Sequence, residues 1–211
     1  MQLWSVVVPV KRLAAAKTRL RATLPGVDHD ALVLAMALDT VGAALACPAV
    51  GRVLVVTDDP VAAPALTDLG ALCVPDTPDA GLNPALAHGA TEAARREPAW
   101  GVAVLGSDLP ALRPAELAEA LAAAAAAGRA FVADSVGTGT TLLAAAPGVP
   151  LAPAYGLGSA AAHAASGAVG LSGPWPALRR DVDTAADLRE AAGLTLGPRS
   201  AALVRAATPR R

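Results

Sequence analysis

The chain has 211 residues, with 17 basic and 18 acidic side chains and a formal net charge of -1. A single domain of that length buries roughly 70% of its unfolded surface, while balanced charge and 2% aromatic content exclude a nucleic-acid binder built on phosphate neutralisation or base stacking. Two cysteines and three dispersed histidines exclude a disulfide framework and a Cys/His zinc centre.

Hydrophobic residues make up 54%, but alanine inflates the figure. No window reads as a membrane span, because Asp39 interrupts the apolar stretch 31–47 and Glu119 the alanine run after Leu117. The apolar run at 3–10 precedes Lys11 and Arg12, the reverse of an export signal, so a cytoplasmic protein is expected.

Strand and helix periods alternate along the chain. WSVVVP (4–9) predicts a strand buried on both faces. Asp28 is placed to cap a helix whose residues Leu34, Leu38, Val41 and Leu45 share a face. VLVVT (53–57) predicts a second strand, 61–69 a helix and 71–74 a third strand. After the loop 75–82, residues 83–96 read as a helix and VAVLG (102–106) as a fourth strand. Pro114 opens a helix to about residue 127. Two strands, 131–134 and 140–146, flank a Gly-Thr-Gly turn, and 159–165 reads as a helix followed by a proline-containing loop. A last strand is expected at 178–182, then a helix at 184–192 and a basic, frayed tail at 199–211. The pattern is that of one α/β domain, 1–211, with a mostly parallel sheet covered by helices. In such sheets ligands gather beyond the carboxyl ends of the strands, so the polar residues there are the candidates.

Lys11 and Lys17 are the only lysines in an arginine-rich chain, and both follow the first strand. Retention of lysine amid such a bias points to sites needing a compact ammonium, and positive charge at a strand's carboxyl end suits a polyphosphate. A solvated basic face is the plain alternative. Asp108, in Gly106-Ser107-Asp108-Leu109-Pro110, is placed to hold Mg²⁺ against a phosphate, or to make an ordinary turn. Asp181 and Asp183, at i and i+2 of the expected last strand, share a face from which two carboxylates can approach a metal. Asp183 is equally suited to cap the following helix, with Asp187 near its third position. The Gly137–Thr140 turn and Tyr155-Gly156-Leu157-Gly158-Ser159 offer hydroxyls and free backbone for a small anion, or simple turn and cap chemistry. His163, one turn beyond Ser159, reads as a half-buried packing residue and not as a catalytic base.

These segments carry a resemblance. VPVKRLAAAKTRL (8–20), TDD (57–59), GLNPAL (81–86), SDLPAL (107–112), FVAD-x-x-GTGTTLL (131–143), YGLGSAAAH (155–163) and DVDTAADL (181–188) occur in order along nearly the whole chain. Together they resemble the CofC/FbiD family, the guanylyltransferases of coenzyme F420 biosynthesis. The resemblance implies a nucleotide-diphospho-sugar transferase-like, Rossmann-like fold. It implies that the phosphate of phosphoenolpyruvate or 2-phospho-L-lactate attacks the α-phosphate of GTP and releases pyrophosphate; the GC-biased composition leans toward phosphoenolpyruvate. Asp108, Asp181 and Asp183 would hold two Mg²⁺ ions. Thr140, Gly156 and Ser159 would grip the acceptor's carboxylate. Lys17, with Pro9 and Lys11 in the loop before it, would meet the GTP phosphates, and Thr57 and Asn83 would lie along the nucleoside. Lys17 and Asp108 would be the catalytic pair, and the product would pass to a transferase adding the deazaflavin precursor. Tyr155 and Ser107 depart from the family's usual Phe and Ala.

Two rival readings remain at this point. A related nucleotidyltransferase acting on molybdopterin or a sugar phosphate usually carries a glycine-rich first loop, and no glycine lies between Val10 and Leu20. A non-catalytic nucleotide-binding module would be expected to have lost acidic ligands, and all three aspartates are present.

Overall fold

The computed structural model describes residues 2–17, 19–20, 27–77 and 79–207. Its frame is strand β1 (Trp4–Pro9), whose run of valines is buried from Val6 to Val8. On one side β1 pairs in parallel with β2 (Val50–Val56), which pairs with β3 (Leu72–Val74). On the other it pairs in parallel with β4 (Gly101–Leu105). Beyond β4 lie β6 (Thr140–Ala145), β5 (Arg129–Ala133) and β7 (Val169–Leu171). Among the described residues the sheet has seven strands in the order β3-β2-β1-β4-β6-β5-β7. β6 runs antiparallel to both neighbours, because the short turn after β5 allows only a hairpin.

Helices α1 (His29–Leu45), α2 (Ala62–Asp68), α3 (Leu82–Arg96) and α4 (Pro114–Ala127) follow β1 to β4 in turn, and α5 (Ser159–Ala165) follows β6. α6 (Pro176–Arg179), α7 (Ala185–Gly193) and α8 (Pro198–Ala207) complete the chain. Two apolar clusters result, one containing Val6 and Leu105, the other Val7 and Val104. Alternate residues of the same strands feed opposite faces, as period-two geometry demands. Each fully buried Val or Leu contributes about 1.5–3 kcal/mol.

Several expectations are corrected. Residues 178–182 are not a strand. Pro176 starts α6, and the Glu116 carboxylate accepts from the Ala177 and Leu178 amides, both at 2.9 Å. Those bonds fix a helical turn, and both sides of β4 are already paired. The seventh strand is β7, too short and too rich in glycine to show a period. In α1 the fully buried stripe runs through Val33, Met36, Thr40 and Ala44, while Leu34, Leu38 and Leu45 are half-buried. The expected tail is helical through Ala207, because the buried Asp39 carboxylate accepts from the Arg199 and Ser200 amides (3.2 and 2.8 Å). Residues 208–211 of that tail, and Thr18 of the basic loop, lie outside the described residues. Among the described residues no helix is long and apolar enough to cross a membrane.

Candidate active site

A cleft of about 520 Å³ opens at the carboxyl ends of β1 and β4. Pro9, Lys11 and Lys17 line it from the segment after β1, Asp108 from the turn after β4, and Asp181 and Asp183 from the segment before α7. Thr140 and Tyr155 close a further side, and Val33, Met36 and Leu86 supply an apolar wall.

The turn after β4 is fixed from behind. The buried Thr40 hydroxyl accepts from the Leu109 amide (3.1 Å) and donates to Met36 O (2.8 Å) within its own helix. The Asp108 carbonyl accepts from the Val182 amide at 3.0 Å. That bond sets the acidic segment 181–183 against Asp108 without a strand ladder. Asp183 does not cap α7. Thr184 does, in a reciprocal capping box with Asp187, which leaves the Asp183 carboxylate for the cleft.

Lys17 pairs with both Asp108 and Asp183. Its backbone is in the left-handed region (φ 49°), a conformation costing a non-glycine residue about 1 kcal/mol. Burial opposes its charge, but the two carboxylates outweigh burial and raise its pKa. Asp181 is pushed up to about 6, first by burial and then by the Asp108 charge; Lys17 opposes this, and Asp183 and Asp134 add to it. Burial and the neighbouring carboxylates both disfavour its charged form, so a cation beside it would be favoured. The all-carboxylate donor set is the hard oxygen chemistry that Mg²⁺ prefers. It is not a preformed cage: among the described residues, no three His, Cys, Asp or Glu side chains are gathered closely enough to hold an ion. A cation would need Lys17 to withdraw and the carboxylates to turn together.

The loop after β1 is anchored by Asp59. Its buried carboxylate accepts from the Leu13 amide (2.8 Å) and from Val61 and Ala62 at the start of α2 (2.9 and 2.8 Å). Burial by itself would raise its pKa, but the amides of Leu13, Ala62 and Val61, with the charge of Arg12, lower it instead. Asp134 similarly holds the Gly-Thr-Gly turn, accepting from the amides of Gly137, Thr138 and Gly139 (2.6, 2.9 and 2.9 Å). A side chain on Gly139 would lie 2.5 Å from Asp134 Oδ2, so only glycine permits that grip.

Other candidates sit differently. Thr57 is buried off the cleft lining, and its hydroxyl accepts from the Asp59 amide (3.1 Å). The Asn83 amide is consumed by the Tyr155 backbone, donating to its carbonyl (2.9 Å) and accepting from its N–H (2.7 Å). It therefore positions the Tyr155 loop with one of its two N–H donors and one lone pair of its oxygen, and it does not line the cleft. Gly156 is exposed and Ser159 buried at the opening of α5; neither lines the cleft. His163 is fully buried, not half-buried. No local pattern in the sequence marks Asp59 or Asp134 as supports of the cleft, and Thr40 is marked only as a lone polar residue in a buried helical stripe.

Residues 4–164 match the family model described as "Guanylyl transferase CofC like". The chain belongs to this family. It is 60% identical over 210 residues to a phosphoenolpyruvate guanylyltransferase of Salinispora arenicola, covering 99% of this chain and 96% of that protein. A second phosphoenolpyruvate guanylyltransferase, from Geodermatophilus obscurus, is 61% identical over 209 residues, with 97% and 95% covered. In fold the chain is similar to a putative nucleotide-diphospho-sugar transferase from Desulfovibrio desulfuricans (TM-score 0.66, 18% identity, all of both chains covered). It also resembles the Mycobacterium tuberculosis protein Rv0371c, solved in complex with manganese (TM-score 0.50, 20% identity, 90% and 98% covered). The CofC-like chain is thus a nucleotidyltransferase on an α/β sheet of that fold.

Proposed function

We propose that this CofC-like enzyme transfers GMP from GTP to the phosphate of phosphoenolpyruvate, yielding enolpyruvyl-diphospho-5'-guanosine and pyrophosphate. The observation that carries the reading is one cleft in which Lys17, Asp108, Asp181, Asp183 and Thr140 converge from four distant segments. Identity near 60% to two phosphoenolpyruvate guanylyltransferases supports that acid as the acceptor.

An oxygen of the acceptor phosphate attacks the α-phosphorus of GTP, and the bond from that phosphorus to the bridging oxygen of pyrophosphate breaks. The acceptor is already an anion at neutral pH, so the step needs no general base. The obstacle is repulsion between two polyanions, worth several kcal/mol near contact at an intermediate dielectric. Lys17 and Lys11 line the cleft, and Lys17 would offer a compact charge to the GTP phosphates. Asp108, Asp181 and Asp183 are the residues that would hold Mg²⁺, in two ions as the family resemblance implies. A divalent ion held by these residues would supply the positive charge that offsets the repulsion of the two polyanions. Thr140 would meet the acceptor's carboxylate from the cleft lining, whereas Gly156 and Ser159 lie off it. The apolar wall of Val33, Met36 and Leu86 receives the uncharged part of the nucleotide. The product's diphosphate is an activated group suited to a later transferase.

The test is pyrophosphate release from GTP and Mg²⁺ with either phosphoenolpyruvate or 2-phospho-L-lactate. Turnover with phosphoenolpyruvate is expected. Turnover with 2-phospho-L-lactate alone, or only with a sugar phosphate, would overturn the assignment.

A further inference from the structure

His163 has no role in the reaction just described, yet it is completely buried directly behind the cleft wall. Both ring nitrogens are engaged. Nε2 faces the Ala154 amide at 3.0 Å, and Nδ1 faces Thr140 Oγ1 at 2.9 Å. A backbone N–H can only donate, so Nε2 is a bare acceptor. A neutral imidazole must then carry its proton on Nδ1. Nδ1–H therefore donates to Thr140, whose oxygen becomes the acceptor in that pair. The one hydroxyl proton of Thr140 is left to point elsewhere, and Thr140 lines the cleft.

The surroundings favour that neutral form. The Phe131 ring lies 5.9 Å away between centroids and the Tyr155 ring 5.1 Å away, edge-on. Burial first, and then the charge of Arg129, lowers the pKa of His163. Arg129 is held off the ring by bonds to the carbonyls of Leu151, Ala152 and Ser166. The same imidazole ties Ala154, next to Tyr155, to the strand that bears Thr140. It thus sets both the direction of one hydroxyl and the position of the neighbouring loop.

We propose that His163 is a positioning residue that fixes Thr140 as a hydrogen-bond donor toward the acceptor's carboxylate, a group that can only accept. The inference rests on the reading of Thr140 as an acceptor contact given above. Without the imidazole, the Thr140 hydroxyl is free to turn its proton inward and present a lone pair to the anion.

Three measurements test it. In the unmutated, ¹⁵N-labelled enzyme, the His163 imidazole should show protonated Nδ1 and bare Nε2 at neutral pH; an Nε2–H tautomer overturns the proposal, and this readout needs no variant to fold. Kinetically, His163→Asn keeps an amide near the Nδ1 position, whereas His163→Gln keeps an acceptor near Nε2 but no donor to Thr140. His163→Gln should raise the KM for phosphoenolpyruvate by about 3–10-fold, the weight of one oriented hydrogen bond. The KM for GTP should stay within about 2-fold, and His163→Asn should recover most of the loss. Equal rises in both KM values, or an Asn variant as impaired as Gln, would show a merely structural histidine. Thr140→Val separates the two claims. If it leaves the KM for phosphoenolpyruvate unchanged, the acceptor site is misplaced and the proposal falls with it. If Thr140→Val raises that KM while His163→Gln does not, only the role of His163 fails.

Discussion

The Val182 amide donates to the Asp108 carbonyl at 3.0 Å, joining the two segments that bear the acidic side chains of the cleft. Because the bond is between backbones, it survives substitution of either side chain. Asp108→Asn should therefore leave the fold intact while removing a charge from the reacting centre. Turnover should fall by on the order of 10²–10³, the usual cost of one electrostatic partner of a transition state. Pyrophosphate release at saturating Mg²⁺, with an unchanged melting temperature, checks it. Near-native turnover would remove Asp108 from the metal site.

Lys17 holds a compact ammonium between Asp108 and Asp183 on a left-handed backbone. A guanidinium keeps the charge but is planar and larger, and cannot be delivered from the same stem to the same point. Lys17→Arg should lower kcat/KM for GTP by about 10-fold or more. Retained kinetics would mean that only the charge matters, and that lysine survives here by chance.

Thr40 is the hidden support of the Asp108 turn. Thr40→Val preserves shape but strips the Leu109 amide of its acceptor at a fully buried position. Leaving that N–H unpaired should cost about 1–3 kcal/mol in denaturant titration. Turnover should fall as well, through displacement of Asp108, and Thr40→Ser should restore part of both. A variant with lost stability and normal turnover would show that the turn holds its shape unaided.

Much of this arrangement was legible in the sequence, for a definite reason. The strands β1 and β4 are buried on both faces, so burial reads directly as apolar runs, and residues that follow them line the cleft. Asp108 and the lysines after β1 were found in that way. What escaped was set by tertiary hydrogen bonds. Glu116 turns 176–179 into a helix, and nothing local in Leu178–Val182 distinguishes that outcome from a strand. Nor does the sequence show that the Asn83 amide bonds to the Tyr155 backbone, more than seventy positions away. By residue type Asp183 suits the cap of the following helix, but Thr184 takes that place, while the Val182–Asp108 bond holds the Asp183 segment against the cleft.

Asp59 makes stability depend on pH in a predictable direction. Its folded-state pKa is lowered from 3.8, so its contribution is complete above that unfolded value and is lost as pH falls below it, through the folded value. Asp59→Asn replaces one accepting oxygen with a donor facing backbone N–H groups, and should cost about 2 kcal/mol at neutral pH. The gap between native and variant melting curves should stay constant from pH 7 to about pH 5 and narrow only in stronger acid. A gap that already closes near neutrality would show that the ionised carboxylate is not what holds the loop.

Tyr155 offers the opposite case, a polar atom with nothing to bind. Its hydroxyl is buried without a hydrogen-bond partner among the described residues, and burial raises its pKa far beyond the ordinary phenol value. An unpartnered buried hydroxyl costs about 1–3 kcal/mol. Tyr155→Phe removes that cost and keeps the ring that meets His163 edge-on. The variant should therefore be as stable as the native enzyme or more stable by up to about 1 kcal/mol, less than the full cost because removing the oxygen leaves a small void. Both KM values should be retained. Because Tyr155 lines the cleft, the alternative is concrete. If the phenol finds its partner in a bound substrate, Tyr155→Phe will gain stability in the free enzyme and lose affinity for that one substrate. Melting temperatures measured with and without each substrate separate the two outcomes, since the hydroxyl's benefit would be seen only in the complex.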